Sequence, residues 1–239
     1  MNEENNSARS VVHASGDNGI EVRYVAYCDI LGFSNKILSD FDRTLGVYRD
    51  FGKSMAEFAV KEVRATMYSD AILVTAVLLG KVLSAVQQLW FLVLRNDLMI
   101  RGAITKGRYW EQRQGNHLLV ASDALVRAVK LERSVSVPAV VIADDVEIPD
   151  ELWQRRFVMS PFETPLLHFR DRNIVNPFNT FWGKSAASRA TELMNESPTH
   201  RDKYLWFLAL HEAAATGQEL IPPAILARFQ RDGILRRRV

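Results

Sequence analysis

Residues 22–30 read Val-Arg-Tyr-Val-Ala-Tyr-Cys-Asp-Ile, an apolar and β-rich stretch that a single carboxylate, Asp29, interrupts near its end. This pattern predicts a buried strand that carries an acidic side chain close to its C-terminal end. Gly32 ends the strand, and Ser34 can cap a helix that follows it. Asp29 is therefore the first candidate functional group of the chain.

The order of the next segments decides the fold. Helical spacing of apolar residues over 45–58 is followed by two strands, about 63–69 and 71–77, joined by a tight turn. An amphipathic helix over 79–94 and a strand over 98–108 complete the unit. The order predicts an α+β fold with a ferredoxin-like βαββαβ core, in which both helices pack on one face of an antiparallel sheet and the opposite face stays free.

The remainder of the chain divides into flanking segments. Residues 1–20 are polar and lack periodicity, which predicts a flexible N-terminal arm. Within a catalytic domain of residues 21–178, a helix over 121–132 and a strand over 137–142 are expected to extend the sheet. Residues 179–239 predict a C-terminal helical extension.

Bulk properties exclude several classes of function. The net charge of +2 over 239 residues gives no reason to expect a nucleic-acid or membrane partner. The single cysteine, Cys28, excludes an internal disulfide framework and suits a reducing compartment. The most apolar stretches are shorter than the ~20 residues that cross a bilayer. A cytoplasmic protein is expected.

A second carboxylate, Asp70, lies in the turn between the two paired strands. A split βαββαβ sheet brings this turn beside the end of the first strand, so Asp29 and Asp70 should lie close together. Two close carboxylates repel each other unless a cation lies between them, and Mg²⁺ or Mn²⁺ with triphosphate oxygens is the usual solution. The alternative is that Asp29 caps the following helix and Asp70 is an ordinary turn residue.

Cationic side chains form a second candidate group. If Ile100 and Ile104 face the helices, period two directs Arg101 and Thr105 to the open face. A cation in the middle of a sheet needs a partner or an anionic ligand. Arg64, in the second strand, raises the same question, and for both arginines the alternative is a surface or ion-paired side chain.

Four motifs resemble the class III adenylate and guanylate cyclases. They are Tyr-Cys-Asp-Ile-Leu-Gly-Phe at 27–33, Tyr-Ser-Asp-Ala at 68–71, Ile-Arg-Gly-Ala-Ile-Thr-Lys-Gly at 100–107, and the helix over 121–132. The resemblance covers about residues 22–142 and is specific only in combination. It implies that Asp29, Asp70 and the backbone carbonyl of Ile30 hold two divalent ions, Mn²⁺ or Mg²⁺, at each site.

The positions that read purines in that family are not intact. The lysine and aspartate that read adenine correspond to Arg64 and Leu119, and the catalytic asparagine and arginine correspond to Val126 and Lys130. With Val-Asn-Pro-Phe at 175–178, the motifs are similar to the pyrimidine cyclases of Pycsar anti-phage defence, whose cyclic UMP or cyclic CMP activates a separate effector protein.

The class III resemblance implies a head-to-tail homodimer with two equivalent sites, because the active sites of that family lie between two subunits. The second resemblance implies UTP or CTP as substrate. It makes Tyr48, Arg64 and Arg101 the candidates for substrate binding, with Lys130 or Arg127 stabilising the pentavalent phosphorus. Tyr48 has an alternative role as a core aromatic of an amphipathic helix.

Two other functions are weighed against this one. A diguanylate cyclase shares the sheet topology, but its Gly-Gly-Asp/Glu-Glu-Phe hairpin is absent from the turn at 68–71. A catalytically degenerate cyclase-like module that binds a nucleotide or signals by shape stays open. The absence of the catalytic asparagine and arginine favours it, and the retention of both aspartates argues against it.

Overall fold

One mixed sheet runs through the computed structural model, which describes residues 19–57, 62–158, 164–178, 183–196, 198–216 and 220–234. Within these residues the strands are β1 (Glu21–Leu31), β2 (Arg64–Tyr68), β3 (Ala71–Ala76), β4 (Met99–Gln114), β5 (His117–Ser122), β6 (Val140–Ile142), β7 (Leu166–Phe169) and β8 (Arg172–Val175). The helices are α1 (Phe33–Ser39), α2 (Phe41–Glu57), α3 (Leu79–Arg95), α4 (Asp123–Arg133), α5 (Asp150–Val158), α6 (Gly183–Glu196), α7 (Arg201–Ala215) and α8 (Pro223–Arg231), with a 3₁₀ turn over Pro198–His200. Apart from residues 19 and 20, the predicted N-terminal arm lies outside the described residues.

The first four strands form the predicted split unit. Their order in the sheet is β2-β3-β1-β4, and every neighbouring pair in this group is antiparallel. The α+β fold with a ferredoxin-like βαββαβ core is therefore confirmed. Each of these strands begins within one residue of its predicted start. In β1, β3 and β4 the signal is the run of apolar residues, several of which are buried.

β1 is the central strand of this unit, and its register places the candidate site. Asp29 lies opposite Ala71 on β3 and opposite Arg101 on β4. One residue along β4, Gly102 lies opposite Cys28, where an added Cβ would come within 2.6 Å of the Tyr27 carbonyl oxygen. A glycine at this position allows the two central strands to approach closely.

Four strands enlarge the sheet beyond the split unit. β6 adds to β4 in parallel, which confirms that this segment extends the sheet, and β8 and β7 follow it as an antiparallel pair. β5 forms a hairpin with the distal half of β4. The sequence did not predict β5, β7, β8 or α5.

The two faces of the sheet are both covered. Ala26, Cys28 and Ile30 of β1 lie in the main hydrophobic core, together with Phe33 and α3. On the opposite face, α4 packs over β1 and β4, and the Thr105 hydroxyl donates a hydrogen bond of 2.7 Å to the Ala124 carbonyl oxygen. Over β1 and β4 the prediction that this face stays free is wrong, because the chain returns across it after β5.

The C-terminal helices share the main core. Phe207 of α7 lies 5.9 Å, ring centroid to ring centroid, from Trp90 of α3 and 5.3 Å from Phe178. Phe229 of α8 is also fully buried in this core. The division at residues 178 and 179 stays a prediction. No helix in the described part of the chain is long and apolar enough to span a membrane.

Candidate functional site

The candidate site begins with Asp29, which the sheet register places directly beside Arg101 on the face covered by α4. The Arg101 Nε donates a hydrogen bond of 3.1 Å to Asp29 Oδ2. The same nitrogen lies 2.7 Å from Glu132 Oε1 in an ion pair whose direction is not that of a hydrogen bond. Arg101 therefore lies between two carboxylates. It is an ion-paired side chain, the alternative given above for a cation in the middle of a sheet.

Glu132 is a site residue that the sequence analysis missed. Ala124, Ala128 and Glu132 are the buried residues of α4, and their spacing of four places them on one helix face against the sheet. Burial raises the pKa of Glu132, and the neighbouring Asp29 adds to the rise, while Arg101 opposes it. The signal that could have found Glu132 is its position in this spacing, as a charged residue on an otherwise small and apolar face.

Asp70 lies in the two-residue turn that joins β2 and β3. The Ile30 N–H donates a hydrogen bond of 2.9 Å to the Asp70 carbonyl oxygen, and the Ser34 hydroxyl donates one of 3.2 Å to Asp70 Oδ2. Ser69, in the same turn, has a φ of 54°. These bonds tie the turn to the end of β1, so the structure brings Asp29, Ile30 and Asp70 to one end of the sheet.

Burial and charge act together on Asp29. Its pKa is raised, first by burial and then by the negative charge of Asp70, while the positive charge and hydrogen bond of Arg101 lower it. Asp29 is partly buried and lies near a second carboxylate, Asp70. A divalent cation between the two would remove the repulsion of their negative charges.

Oxygen donors at this end of the sheet fit Mg²⁺ or Mn²⁺. A strand residue directs its N–H and C=O to the same side, so the Ile30 carbonyl points toward the Asp70 turn, as its N–H does. The described residues contain no group of three or more His, Cys, Asp or Glu side chains that could hold a metal ion. An ion at Asp29 and Asp70 would need the Ile30 carbonyl and oxygens of a bound ligand, as Mg²⁺ commonly does.

Tyr48 lies on the buried side of α2. Its ring centroid is 6.0 Å from that of Phe33, and Phe51, one turn further along the helix, is fully buried. Burial raises the pKa of the Tyr48 hydroxyl. The Tyr48 ring thus packs against the start of α1. Its role in base binding stays a prediction.

Arg64 and Arg127 do not lie beside Asp29 within one chain. Arg64 is four residues along β2 from Tyr68, the residue in line with Asp29, a separation of about 13 Å. Arg127 pairs with Asp145 and donates to the Lys106 carbonyl oxygen, toward the far end of β4. Lys106 is five residues, or about 16 Å, from Arg101 along that strand.

Lys130 is exposed on α4. It lies two residues from both Ala128 and Glu132, and two residues turn a helical side chain by about 200°, so Lys130 faces away from the sheet. Within this chain neither Lys130 nor Arg127 contacts Asp29. The catalytic role predicted for each of them stays a prediction.

Lys203 is a further cation that the sequence analysis missed. It belongs to α7 and lines a cavity together with Leu31, Gly32 and Met99. Its positive charge lowers the pKa of Asp29. No local pattern marks this lysine, because only the packing of the C-terminal helices against the sheet brings it near β1.

Comparison with known proteins yields matches only among solved structures, since no protein-family model and no curated protein matches the sequence. The guanylyl cyclase Cya2 is 12% identical, with 53% of this chain and 76% of that chain covered and a TM-score of 0.40. The adenylyl cyclase CyaB from P. aeruginosa is 15% identical, with 53% and 78% covered and a TM-score of 0.40. A class III adenylyl cyclase-like ATP-binding protein from Pseudomonas aeruginosa is 11% identical, with 70% and 40% covered and a TM-score of 0.43. These values describe a partial similarity of fold and nothing more.

Proposed function

We propose that this chain is a nucleotide cyclase of the class III type that converts UTP, in preference to CTP, to the 3′,5′-cyclic nucleotide and pyrophosphate. The observation that supports it is the meeting of Asp29, Asp70 and the Ile30 backbone at one end of the sheet. Oxygen donors of this kind suit a divalent ion that also binds phosphate oxygens.

In the proposed reaction the ribose 3′-oxygen attacks the α-phosphorus in line. A new oxygen–phosphorus bond forms, the bond from the α-phosphorus to its bridging oxygen breaks, pyrophosphate leaves, and the hydroxyl proton passes to solvent. Two divalent ions, when bound, would lower the pKa of the 3′-hydroxyl and neutralise charge on the phosphates. The sheet holds Asp29, near the end of β1, at a fixed separation from Asp70, in the turn that joins β2 and β3.

Arg101 has two proposed tasks. Its Nε is held by Asp29 and Glu132, which fixes the position of the guanidinium group. The remaining N–H groups of a guanidinium can donate to the carbonyl of a pyrimidine base, which offers acceptors there. On the family resemblance Tyr48 stays a candidate for the same base pocket, and Arg64 stays a candidate for substrate binding.

A head-to-tail homodimer with two equivalent sites completes the proposal. Lys130 faces away from the sheet of its own chain, and Arg127 is held far from Asp29, so either would have to act on the site of a second copy. The cyclic product would act as a cytoplasmic second messenger on a separate effector protein in bacterial anti-phage defence.

The test is incubation of the purified protein with each of the four ribonucleoside triphosphates and Mn²⁺, followed by chromatography of the products. Cyclic product is expected from UTP, and Asp70→Asn should abolish it because one ion ligand is lost while the fold stays intact. Asp144→Asn, an exposed carboxylate outside the site, is the matched control.

Two results would contradict the proposal. Cyclisation of UTP by Asp70→Asn at the parental rate would remove Asp70 from the ion site. Nucleotide binding without pyrophosphate release from any of the four triphosphates would instead favour the degenerate binding module. In that module Arg101 would stay ion-paired with Asp29.

A further inference from the structure

A cleft separates the turn after β1 from the C-terminal helices. Its main part has a volume of about 500 Å³, within the range of small-molecule sites. Lys36 of α1 and Arg43 of α2 line one side, Arg189 of α6 and His200 line the other, and Asp97 lies between them. The cleft is thus built jointly by the split sheet unit and by helices outside it.

A side cavity of about 50 Å³ joins this cleft at Leu31 and Gly32 and is lined by Lys203. Gly32 has a φ of 81°, and no heavy atom lies within 4 Å of the position that a Cβ would take. The turn that follows Asp29 and Ile30 therefore opens directly onto the cleft.

Positive charge exceeds negative charge in the cleft. Arg189 binds both carboxylate oxygens of Asp97, at 2.5 Å each, so this pair is satisfied internally. The remaining charged lining groups are Lys36, Arg43 and Lys203 against the single carboxylate of Glu196. An anionic ligand would balance the excess.

The three remaining cations differ in what holds them. The Lys36 Nζ donates to the carbonyl oxygens of Asn96 at 3.3 Å and Asp97 at 3.2 Å, and burial lowers its pKa. Within the described ranges the Arg43 side chain has no hydrogen bond or ion pair, and its backbone N–H donates to Asp40. Lys203 interacts with Asp29 through its charge, without a hydrogen bond in the same ranges. Neither side chain is held by a hydrogen bond, so both cations can donate to an anionic ligand in the cleft.

We propose that this cleft binds the polyphosphate of the nucleoside triphosphate, with Lys203, Lys36 and Arg43 as its phosphate-binding groups. The identity of the anion rests on the proposed function, since the cleft begins at the turn beside Asp29. Several cations that line one cleft suit the several charges of a polyphosphate, and lysine binds phosphate as a point charge. The C-terminal helices then supply part of the nucleotide site.

The test uses inorganic tripolyphosphate and isothermal titration calorimetry in EDTA, so that no divalent ion contributes. Lys203→Ala and Arg43→Ala are each expected to weaken binding about tenfold, the loss typical of one hydrogen bond to a charged group. Arg113→Ala removes the same charge from the exposed end of β4 and should leave binding unchanged. Lys203→Gln, which keeps the length of the side chain, should weaken binding as Lys203→Ala does.

Two outcomes would overturn the cleft assignment: wild-type affinity in both cleft variants, or an equal loss in Arg113→Ala, which would indicate an unspecific effect of net charge. Failure of the proposed function gives a different pattern. Asp70→Asn should keep tripolyphosphate binding in EDTA, so a chain that binds tripolyphosphate through Lys203 and Arg43 but forms no cyclic product would retain the cleft and lose the cyclase.

Discussion

The two faces of the sheet are built from the same strands but contain different chemistry. On the face toward α3, the buried residues of β1, β3 and β4 are uncharged and most are aliphatic or small, as Ala26, Ile72 and Ile104 illustrate. On the face toward α4, alternate residues of the same strands include Asp29 and Arg101. Period two therefore separates a hydrophobic core from a charged site across the thickness of one sheet.

The difference shows how the fold accommodates a site. Burying charge costs free energy unless each group is paired, and the site pairs Arg101 with both Asp29 and Glu132. The buried hydroxyl of Thr75, on the same face, has no hydrogen-bond partner among the described residues. Stability should thus come mainly from the α3 face, while the α4 face is organised around its charges.

The largest expected effect is loss of packing on the α3 face. Leu83 of α3 is fully buried, and Leu83→Ala should lower the free energy of unfolding by about 2–5 kcal/mol through lost burial and a cavity. Val126→Ala, on the exposed side of α4, is the control and should change it by less than about 0.5 kcal/mol. Guanidinium unfolding followed by circular dichroism measures the free energy of unfolding of both variants. Equal losses would contradict the larger contribution of the α3 face to stability.

The sequence predicts the α3 face well because its signals are local. The buried strand over 22–30, the paired strands over 63–77 and the amphipathic helix over 79–94 each carry their pattern in consecutive residues. The topology follows from their order, and it brings Asp29 and Asp70 to the same end of the sheet.

The α4 face is less predictable because it depends on contacts between distant segments. Nothing in residues 121–132 indicates on which face of the sheet this helix packs, so the ion pair of Glu132 with Arg101 could not be foreseen. β5, whose residues alternate between exposed and half-buried, was not predicted. The equally exposed β2 was predicted through the tight turn that joins it to the buried strand β3. Lys203 reaches the site only through the packing of α7.

A second, smaller effect is expected from the charged pair. Arg101→Met leaves Asp29 and the buried Glu132 without their cation and should lower the free energy of unfolding by about 1–3 kcal/mol, with the lower end favoured because a third of Arg101 is exposed. The double variant Arg101→Met with Glu132→Leu should recover most of that loss, since apolar replacement of a buried ion pair is often neutral. A double variant as unstable as the sum of its single changes would contradict this account.

The cap of α4 gives a third prediction, near 1 kcal/mol. The Ser122 hydroxyl oxygen accepts a hydrogen bond of 3.0 Å from the Leu125 N–H at the start of the helix. Ser122→Ala should lower the free energy of unfolding by about 1 kcal/mol. Ser84→Ala is the control, because that exposed hydroxyl only donates to the Gly80 carbonyl within α3. Thermal unfolding of both variants against the parent checks the difference.

The smallest effect is a pH dependence whose sign separates burial from ion pairing at Asp29. Its pKa is raised in the folded chain, so between the ordinary aspartate pKa of about 3.9 and the higher folded value the native state binds more protons than the unfolded state. The free energy of unfolding then falls as pH rises through this window. Asp29→Asn removes this contribution, so in EDTA the parent should lose stability relative to the variant from pH 4 upward.

Asp123 provides a control of opposite sign on the same face. The Arg108 side chain donates to it and lowers its pKa, so its contribution is present above the ordinary aspartate pKa and is lost as pH falls through the folded value. The parent should therefore gain stability relative to Asp123→Asn as pH rises through that lower range. Urea unfolding at several pH values measures both differences. If the parent also gains stability relative to Asp29→Asn as pH rises, then the ion pair with Arg101 outweighs the burial of Asp29. The partly exposed Arg101 would then stabilise the charged face more than its exposure suggests.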